Sequence, residues 1–269
     1  MPRKPLALAN WKMATTVAES LTFVRDFQTL AGDCLDAVDV ILCPPFTGLW
    51  PLAKALDEGR SPIRLGAQNV APSTDPARTG QISAATLADV GCEWVMLGHW
   101  EVRRLLGDDD ALVNRKVHLA LEADLRPIPF VGEANDERVP LVDALEGHLV
   151  RVLDGCTAEQ VASMALVYEP EGAIGVSTPS SPEHVAAACM CMRGWLHRQW
   201  GEAAADRIRI IYGGSVAPEF APDLLGSPEL DGLAATRRGR DPGTFAEIVR
   251  LITEMRRGDS VGREPRLPV

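Results

Sequence analysis

Short apolar runs and amphipathic stretches alternate along this chain about every thirty residues, and this rhythm limits the possible fold more than any other feature. Residues 6–9, 38–43, 63–67, 93–97, 127–131, 165–168, 208–212 and 233–235 read as strands. Each run is brief and apolar on both faces, and most close on Gly, Pro or a polar residue, as expected of strands buried in a parallel sheet. Between them lie helical patterns. Val17, Leu21, Val24, Phe27 and Leu30 recur at three and four behind a cap at Thr15 or Thr16, and Ser181 precedes a long helix over 182–200. Further helices are expected over 49–56, 83–89, 111–123, 141–153 and 244–255, with the run Asp108-Asp109-Asp110 suited to a helix N-terminus. Residues 68–79 form a polar loop. Eight strands alternating with helices, with no linker or low-complexity tract, predict a closed parallel (β/α)8 barrel of the α/β class in one domain over residues 1–257. The remainder, 258–269, rich in Arg, Pro and Gly, is expected to be a loose tail.

Composition narrows the partners. A length of 269 residues admits two small domains or one barrel, and 46% apolar residues supply a large core. The net charge of −10 argues against a nucleic-acid surface and does nothing to attract an anionic substrate, so any pull on a phosphate must be local. No apolar run is long enough to span a membrane and no signal-peptide pattern follows Met1, so a soluble cytoplasmic protein is expected. The six cysteines show neither a metal-ligand spacing nor the density of a disulfide scaffold. Neither a metal nor a cofactor is expected.

In a parallel barrel the reactive groups stand where strands end and loops begin. The strand at 165–168 stops on Glu169 and Pro170, and Glu171 to Ser177 then carries two glycines around a small apolar tip, the composition of a loop that can swing. A base held rigidly beside a flap that excludes water suits proton abstraction. The plainer alternative is a solvated glutamate at a strand end. Asn10, Lys12, His99, Glu101 and Ser215 fall at the same rim, although a lysine there is commonly solvated and a histidine can simply be packed. Gly213-Gly214-Ser215 reads either as a tight turn or as a nest of amides aimed at an anion, with a helix starting just after it. A C–H beside a carbonyl is a poor acid, so its removal asks for a base within reach, worth roughly 10²–10⁴-fold. It also asks for donors aimed at the developing oxyanion, worth about 3–4 kcal/mol each. Glu169 supplies the first; His99, Lys12 and Asn10 supply the second.

Seven segments, in order along nearly the whole chain, resemble the triosephosphate isomerases. They are Asn10-Trp11-Lys12-Met13, Gly66-Ala67-Gln68-Asn69, Thr79-Gly80, Leu97-Gly98-His99, Tyr168-Glu169-Pro170, Ala173-Ile174-Gly175 and Tyr212-Gly213-Gly214-Ser215-Val216. The resemblance implies a TIM barrel that isomerises a small phosphorylated sugar through an enediolate, most directly glyceraldehyde 3-phosphate and dihydroxyacetone phosphate. By that resemblance Glu169 shuttles the carbon proton, Lys12 stabilises oxyanion and phosphate, and Asn10 orients the substrate. His99 polarises the carbonyl as a neutral imidazole; this family is itself the standard example of a histidine kept neutral by a helix N-terminus. Gly175 and Ser215 offer amides to the phosphate, and the chain forms a homodimer.

The departures from the family pattern sit near the site. His-Ser-Glu-Arg-Arg becomes His99-Trp100-Glu101-Val102-Arg103, the aromatic at the first flap hinge becomes Gly172, and the second hinge reads Thr178-Pro179-Ser180. Leu-Val-Gly-Gly after the last strand becomes Ala234-Ala235-Thr236-Arg237. Thr236 and Arg237 make a close amide approach to phosphate harder than glycines do. Arg237 brings a guanidinium fork suited to phosphate or carboxylate, while Arg237-Arg238-Gly239-Arg240 reads equally as a solvated basic loop. Gln81 and Val102 stand where the family pairs a Glu with an Arg across its dimer, so both partners of that pair are replaced together. Two rival functions remain open: an isomerase of a four-carbon ketose phosphate such as erythrulose phosphate in polyol breakdown, and a non-catalytic barrel that binds a phosphate metabolite.

Overall fold

The computed structural model describes residues 3–261. Eight parallel strands close into a barrel in sequence order, each hydrogen-bonded to the next and the last to the first. They are β1 (Leu6–Asn10), β2 (Asp39–Cys43), β3 (Arg64–Ala67), β4 (Trp94–Leu97), β5 (Arg126–Val131), β6 (Ala165–Tyr168), β7 (Arg209–Tyr212) and β8 (Gly232–Ala235). Every strand lies within one residue of its sequence expectation at either end. The strictly parallel pairing follows from the helices that carry the chain back between strands.

The two-residue period of a strand divides the core into two layers. Leu6 and Leu8 of β1 point inward, with Ile41, Met96, Ile128, Phe130, Val167 and Ile211, and fill the barrel. Ala7 and Ala9 point outward to the helical layer. Small residues there let helices come close. A second cluster closes the seam between β1 and β8: Trp11 meets Phe23 edge-on at 4.6 Å, and Phe27 and Phe245 lie 5.1 Å apart. Trp11 directly follows β1, Phe23 and Phe27 come from the first helix, Val17–Ala31, and Phe245 from the last, Pro242–Val261.

Helix starts carry the expected chemistry. Thr16 forms a reciprocal capping box with Glu19, Ser181 caps Pro182–Trp200, and Asp109 caps Asp110–Glu122 by accepting from Leu112 N at 2.8 Å. The other two members of the acidic run serve elsewhere, Asp108 pairing with Lys116, and Asp110 with Arg103, His148 and Arg151. Six short segments have no counterpart in the sequence expectation: the helices Cys34–Ala37, Trp100–Leu106, Ala158–Ser163 and Glu202–Ala205 and the 3-10 turns Glu171–Ala173 and Arg238–Arg240. The last helix runs on to Val261, past Gly258, so the first residues of the expected loose tail are helical. Residues 262–269 of that tail lie outside the described residues.

The end of the barrel opposite the loops that follow the strands is sealed by charge and ring. Trp94 is flanked by the guanidinium groups of Arg126 and Arg209 at 5.2 and 5.4 Å. Asp231 accepts from Arg3 Nε at 2.6 Å, Arg193 Nη2 at 2.8 Å and Ile210 N at 2.8 Å. With that end closed, the polar residues at the strands' C-terminal ends face the opposite mouth.

Candidate active site

β1 ends on Asn10, and the chain then turns sharply. Asn10 Oδ1 accepts from Lys12 N at 3.0 Å, and Lys12 takes a left-handed φ of 50°. Such a backbone is uncommon away from glycine and persists where the surroundings fix it. Gln68, just past β3, fixes it here by donating from Nε2 to Lys12 O at 2.7 Å and to Cys43 O at 2.9 Å. Asn10 is buried and shapes the turn, while Lys12 reaches the cavity and pairs through Nζ with Glu101. The supporting residue Glu101 thus acts on the ammonium. Gln68 stands in one of the seven matching segments, but its polar position after a strand was the only signal of this role.

His99 follows β4 and caps the helix Trp100–Leu106, its Nδ1 accepting from Glu101 N at 3.1 Å. With Nδ1 accepting, the proton of a neutral ring sits on Nε2. That atom lies 3.3 Å from Glu169 Oε1. Burial pushes the imidazole down to about 4, with Lys12 adding to the effect and Glu101 opposing it. Glu169 follows β6 and is 4% exposed. Burial lifts its carboxyl to about 8 against the pull of the Trp100 amide and Lys12. The ring of the resting pair is therefore neutral, and the carboxyl, raised by burial, exchanges its proton near neutral pH. Two groups driven apart in this way are the signature of an acid–base site.

The flap after Glu169 is tied at both ends. Arg104 grips Glu171 with two bonds, Nε to Oε1 at 2.7 Å and Nη2 to Oε2 at 2.8 Å. Further on, Ser215 Oγ donates to Val176 O at 2.6 Å, Arg237 Nη2 donates to the same oxygen at 2.6 Å, and Ser180 N donates to Tyr212 Oη at 2.9 Å. Gly175 at the tip has φ +74°, a conformation that side chains resist. Gly213 and Gly214 are required by packing: a Cβ on the first would meet Val167 Cγ1 at 2.4 Å and on the second Tyr212 Oη at 1.9 Å. Among the described residues the amides of Gly175, Gly214 and Ser215 donate to no protein acceptor. The helical elements that follow are a 3-10 turn at Pro218–Phe220 and the short helix Ala221–Leu224, so the nest owes more to these free amides than to a helix dipole.

These parts surround one cavity of about 610 Å³. Lys12, His99, Glu169, Gly175, Ser215, Thr236 and Arg237 all line it, whereas Asn10 and Glu101 support it from behind. Arg238 and Arg240, in a loop that the sequence left open between a phosphate contact and a solvated basic face, also line it. Arg238 approaches Glu219 only to 3.9 Å, and among the described residues Arg240 has no acidic partner. A protein of net charge −10 therefore presents a basic concavity at this mouth. A buried carboxyl facing a neutral imidazole, with an ammonium alongside and free amides a short way off, can move a proton on an anionic carbonyl compound.

The family model described as triosephosphate isomerase matches residues 5–252. The triosephosphate isomerase of Carboxydothermus hydrogenoformans is 39% identical over 250 residues, covering 92% of this chain and 98% of its own. That of Symbiobacterium thermophilum is 39% identical over 256 residues, covering 94% and 99%. That of Chloroflexus aurantiacus is 38% identical over 253 residues, covering 92% and 98%.

Proposed function

The chain belongs to the triosephosphate isomerase family, and we propose that it interconverts glyceraldehyde 3-phosphate and dihydroxyacetone phosphate with Glu169 as the base. It is an isomerase, an intramolecular oxidoreductase acting on a small phosphorylated sugar. In this reading the Glu169 carboxylate takes the proton from the carbon beside the carbonyl, and the electron pair moves to the carbonyl oxygen. His99 Nε2–H donates to that oxygen, and Lys12 Nζ balances its charge. The proton of the neighbouring hydroxyl passes to the former carbonyl oxygen, with His99 Nε2 placed to relay it, and Glu169 returns the carbon-bound proton to the neighbouring carbon as that hydroxyl oxygen becomes the new carbonyl. Asn10 acts through the turn that aims Lys12. The phosphate is held by the amides of Gly175 and Ser215 with Thr236 and Arg237 beside them.

The observation that carries the reading is the 3.3 Å approach of His99 Nε2 to Glu169 Oε1, both side chains buried against a cavity that Lys12 shares. The test is a coupled turnover assay on glyceraldehyde 3-phosphate beside Glu169→Gln. The expected result is rapid turnover that falls by at least about 10²-fold in the variant. Bound phosphate esters without turnover would overturn the reading in favour of a binding barrel. A four-carbon ketose phosphate remains the second substrate, raised by Ala234 and Gly172 standing where the family carries bulk, although neither residue lines the cavity. Preference for erythrulose phosphate in the same assay would select it.

A homodimer and a cytoplasmic location are part of the same proposal. Met13 is 94% exposed beside the site and Leu105 78%, a pair of apolar side chains suited to cover by a second copy. In the described residues no helix is long and apolar enough to cross a membrane. Sedimentation as a monomer at micromolar concentration would exclude the dimer.

A further inference from the structure

Trp100 stands where the family motif has a serine, and its side chain does something a short hydroxyl arm cannot. The buried indole donates from Nε1 to the main-chain carbonyl of Glu169 at 2.7 Å. The same residue is pinned on other sides. Glu169 N donates to Val131 O at 2.9 Å, and Gly132 packs so close that a Cβ there would meet the Glu169 carbonyl oxygen at 2.0 Å. The carboxylate is held far more loosely, Oε2 lying 3.4 Å from Trp100 N and Oε1 3.3 Å from His99 Nε2. Both contacts lie beyond the usual hydrogen-bond length. The side chain therefore has a tight root and a free tip.

The indole is itself braced. The guanidinium carbons of Arg103 and Arg104 lie 5.6 and 5.4 Å from its ring, and His148 meets it edge-on at 6.2 Å. Arg103 is in turn fixed by Gly98 O at 2.8 Å and Asp110 Oδ1 at 2.7 Å. Cations against a ring hold its plane, and the plane sets the direction of the N–H.

We infer that Trp100 is a positioning residue for proton transfer: its indole N–H anchors the main chain of Glu169 so that the carboxylate faces His99 before substrate arrives. The inference rests on the isomerase reading above. A base that moves by about 1 Å loses on the order of 10²-fold in rate, so fixing its root matters more than fixing its oxygens. The charged and titratable groups around Glu169 are Lys12 after β1, His99, Glu101 and Arg103 after β4, and Tyr212 at the end of β7. Trp100→Phe changes none of them. It keeps an aromatic face for the two arginines and removes the N–H.

The test compares wild type, Trp100→Phe and Trp100→Ser on triose phosphate, with circular dichroism to follow folding. Trp100→Phe is expected to lower kcat about tenfold with KM within about twofold of wild type, the split that marks lost transition-state alignment. Trp100→Ser is expected to move the acid limb of kcat/KM to lower pH, because water entering the vacated space solvates the carboxylate. A folded Trp100→Phe with wild-type kcat would overturn the inference, as would a rise in KM alone. An unmoved acid limb in a folded Trp100→Ser would overturn it as well. A wild type that turns over neither triose nor tetrose phosphate would instead overturn the reading on which the inference stands.

Discussion

Arg237, on the loop after β8, donates from Nη2 to the main-chain carbonyl of Val176 at the flap tip, at 2.6 Å. Ser215 Oγ shares that acceptor, so two loops converge on one oxygen. An incoming phosphate competes with this carbonyl for the guanidinium, which is expected to trade the flap contact for the stronger bond to the anion. Arg237→Ala should raise KM about tenfold with a smaller loss in kcat. Because the lost term is a charge facing solvent, wild-type KM should rise with added salt more steeply than the variant's. Steady-state kinetics at two ionic strengths check both.

Burial drives the two acid–base groups in opposite directions, and their effects on stability have opposite signs. The Glu169 carboxyl titrates at about 8 when folded and near 4.3 when unfolded, so over that window the folded state holds the extra proton and stability falls as pH rises. The His99 ring titrates at about 4 when folded and near 6.5 when unfolded, so its contribution rises with pH across that interval. The two largely cancel up to about pH 6.5. From there to about 8 only the Glu169 effect remains, and unfolding free energy should drop by on the order of 2 kcal/mol. Urea denaturation at the two ends of the window measures the drop, and Glu169→Gln should flatten it.

The N-terminal end of the flap hangs on the two bonds between Arg104 and Glu171. Arg104 is half exposed, so Glu171→Ala should leave global stability nearly unchanged. Its effect should be local. Amide hydrogen exchange over 172–177 is expected to speed up several-fold, while strand amides of β6 keep their protection.

Arg193 presents the contrasting case of a buried charge. Its side chain is 5% exposed and bonds to Ile208 O at 2.6 Å and Asp231 Oδ2 at 2.8 Å. Arg193→Ala leaves Asp231 partly unpaired beneath β7 and β8 and should cost about 3–5 kcal/mol. Chemical denaturation reads this directly, and kcat of the protein that remains folded should stay near wild type.

Most of the barrel was legible because strands buried on both faces are unbroken apolar runs, which locate themselves to within a residue. The last helix, expected over 244–255, runs from Pro242 to Val261 and takes in the first residues of a stretch read as a loose tail from its Arg, Pro and Gly content. Glu169, His99, Lys12 and Ser215, with Asn10 and Glu101, were found by one rule, that polar residues just past parallel strands share a rim, whereas Arg237 stood out only as a departure from the family pattern. The rule does not distinguish a residue that reaches the cavity from one that shapes a turn, which is how Asn10 and Lys12 came to look equivalent. Nor could it reveal the bond from Trp100 to a carbonyl 69 positions away, since the acceptor is backbone and leaves no mark in side-chain identity. Arg238 and Arg240 were ambiguous because only the path of the loop decides whether an arginine faces solvent or a cavity.

The pairing of Leu6 with Gly232 joins the first strand of the barrel to the last. During synthesis on the ribosome, β1 emerges before every other strand of the barrel yet lacks one of its two neighbours until β8 has followed. Lys12, carried just behind that strand, cannot be locked opposite Arg237 any sooner. A nascent chain stalled before β8 would thus display an unpaired edge and an unfinished mouth at once, and the arrival of β8 with its loop removes both.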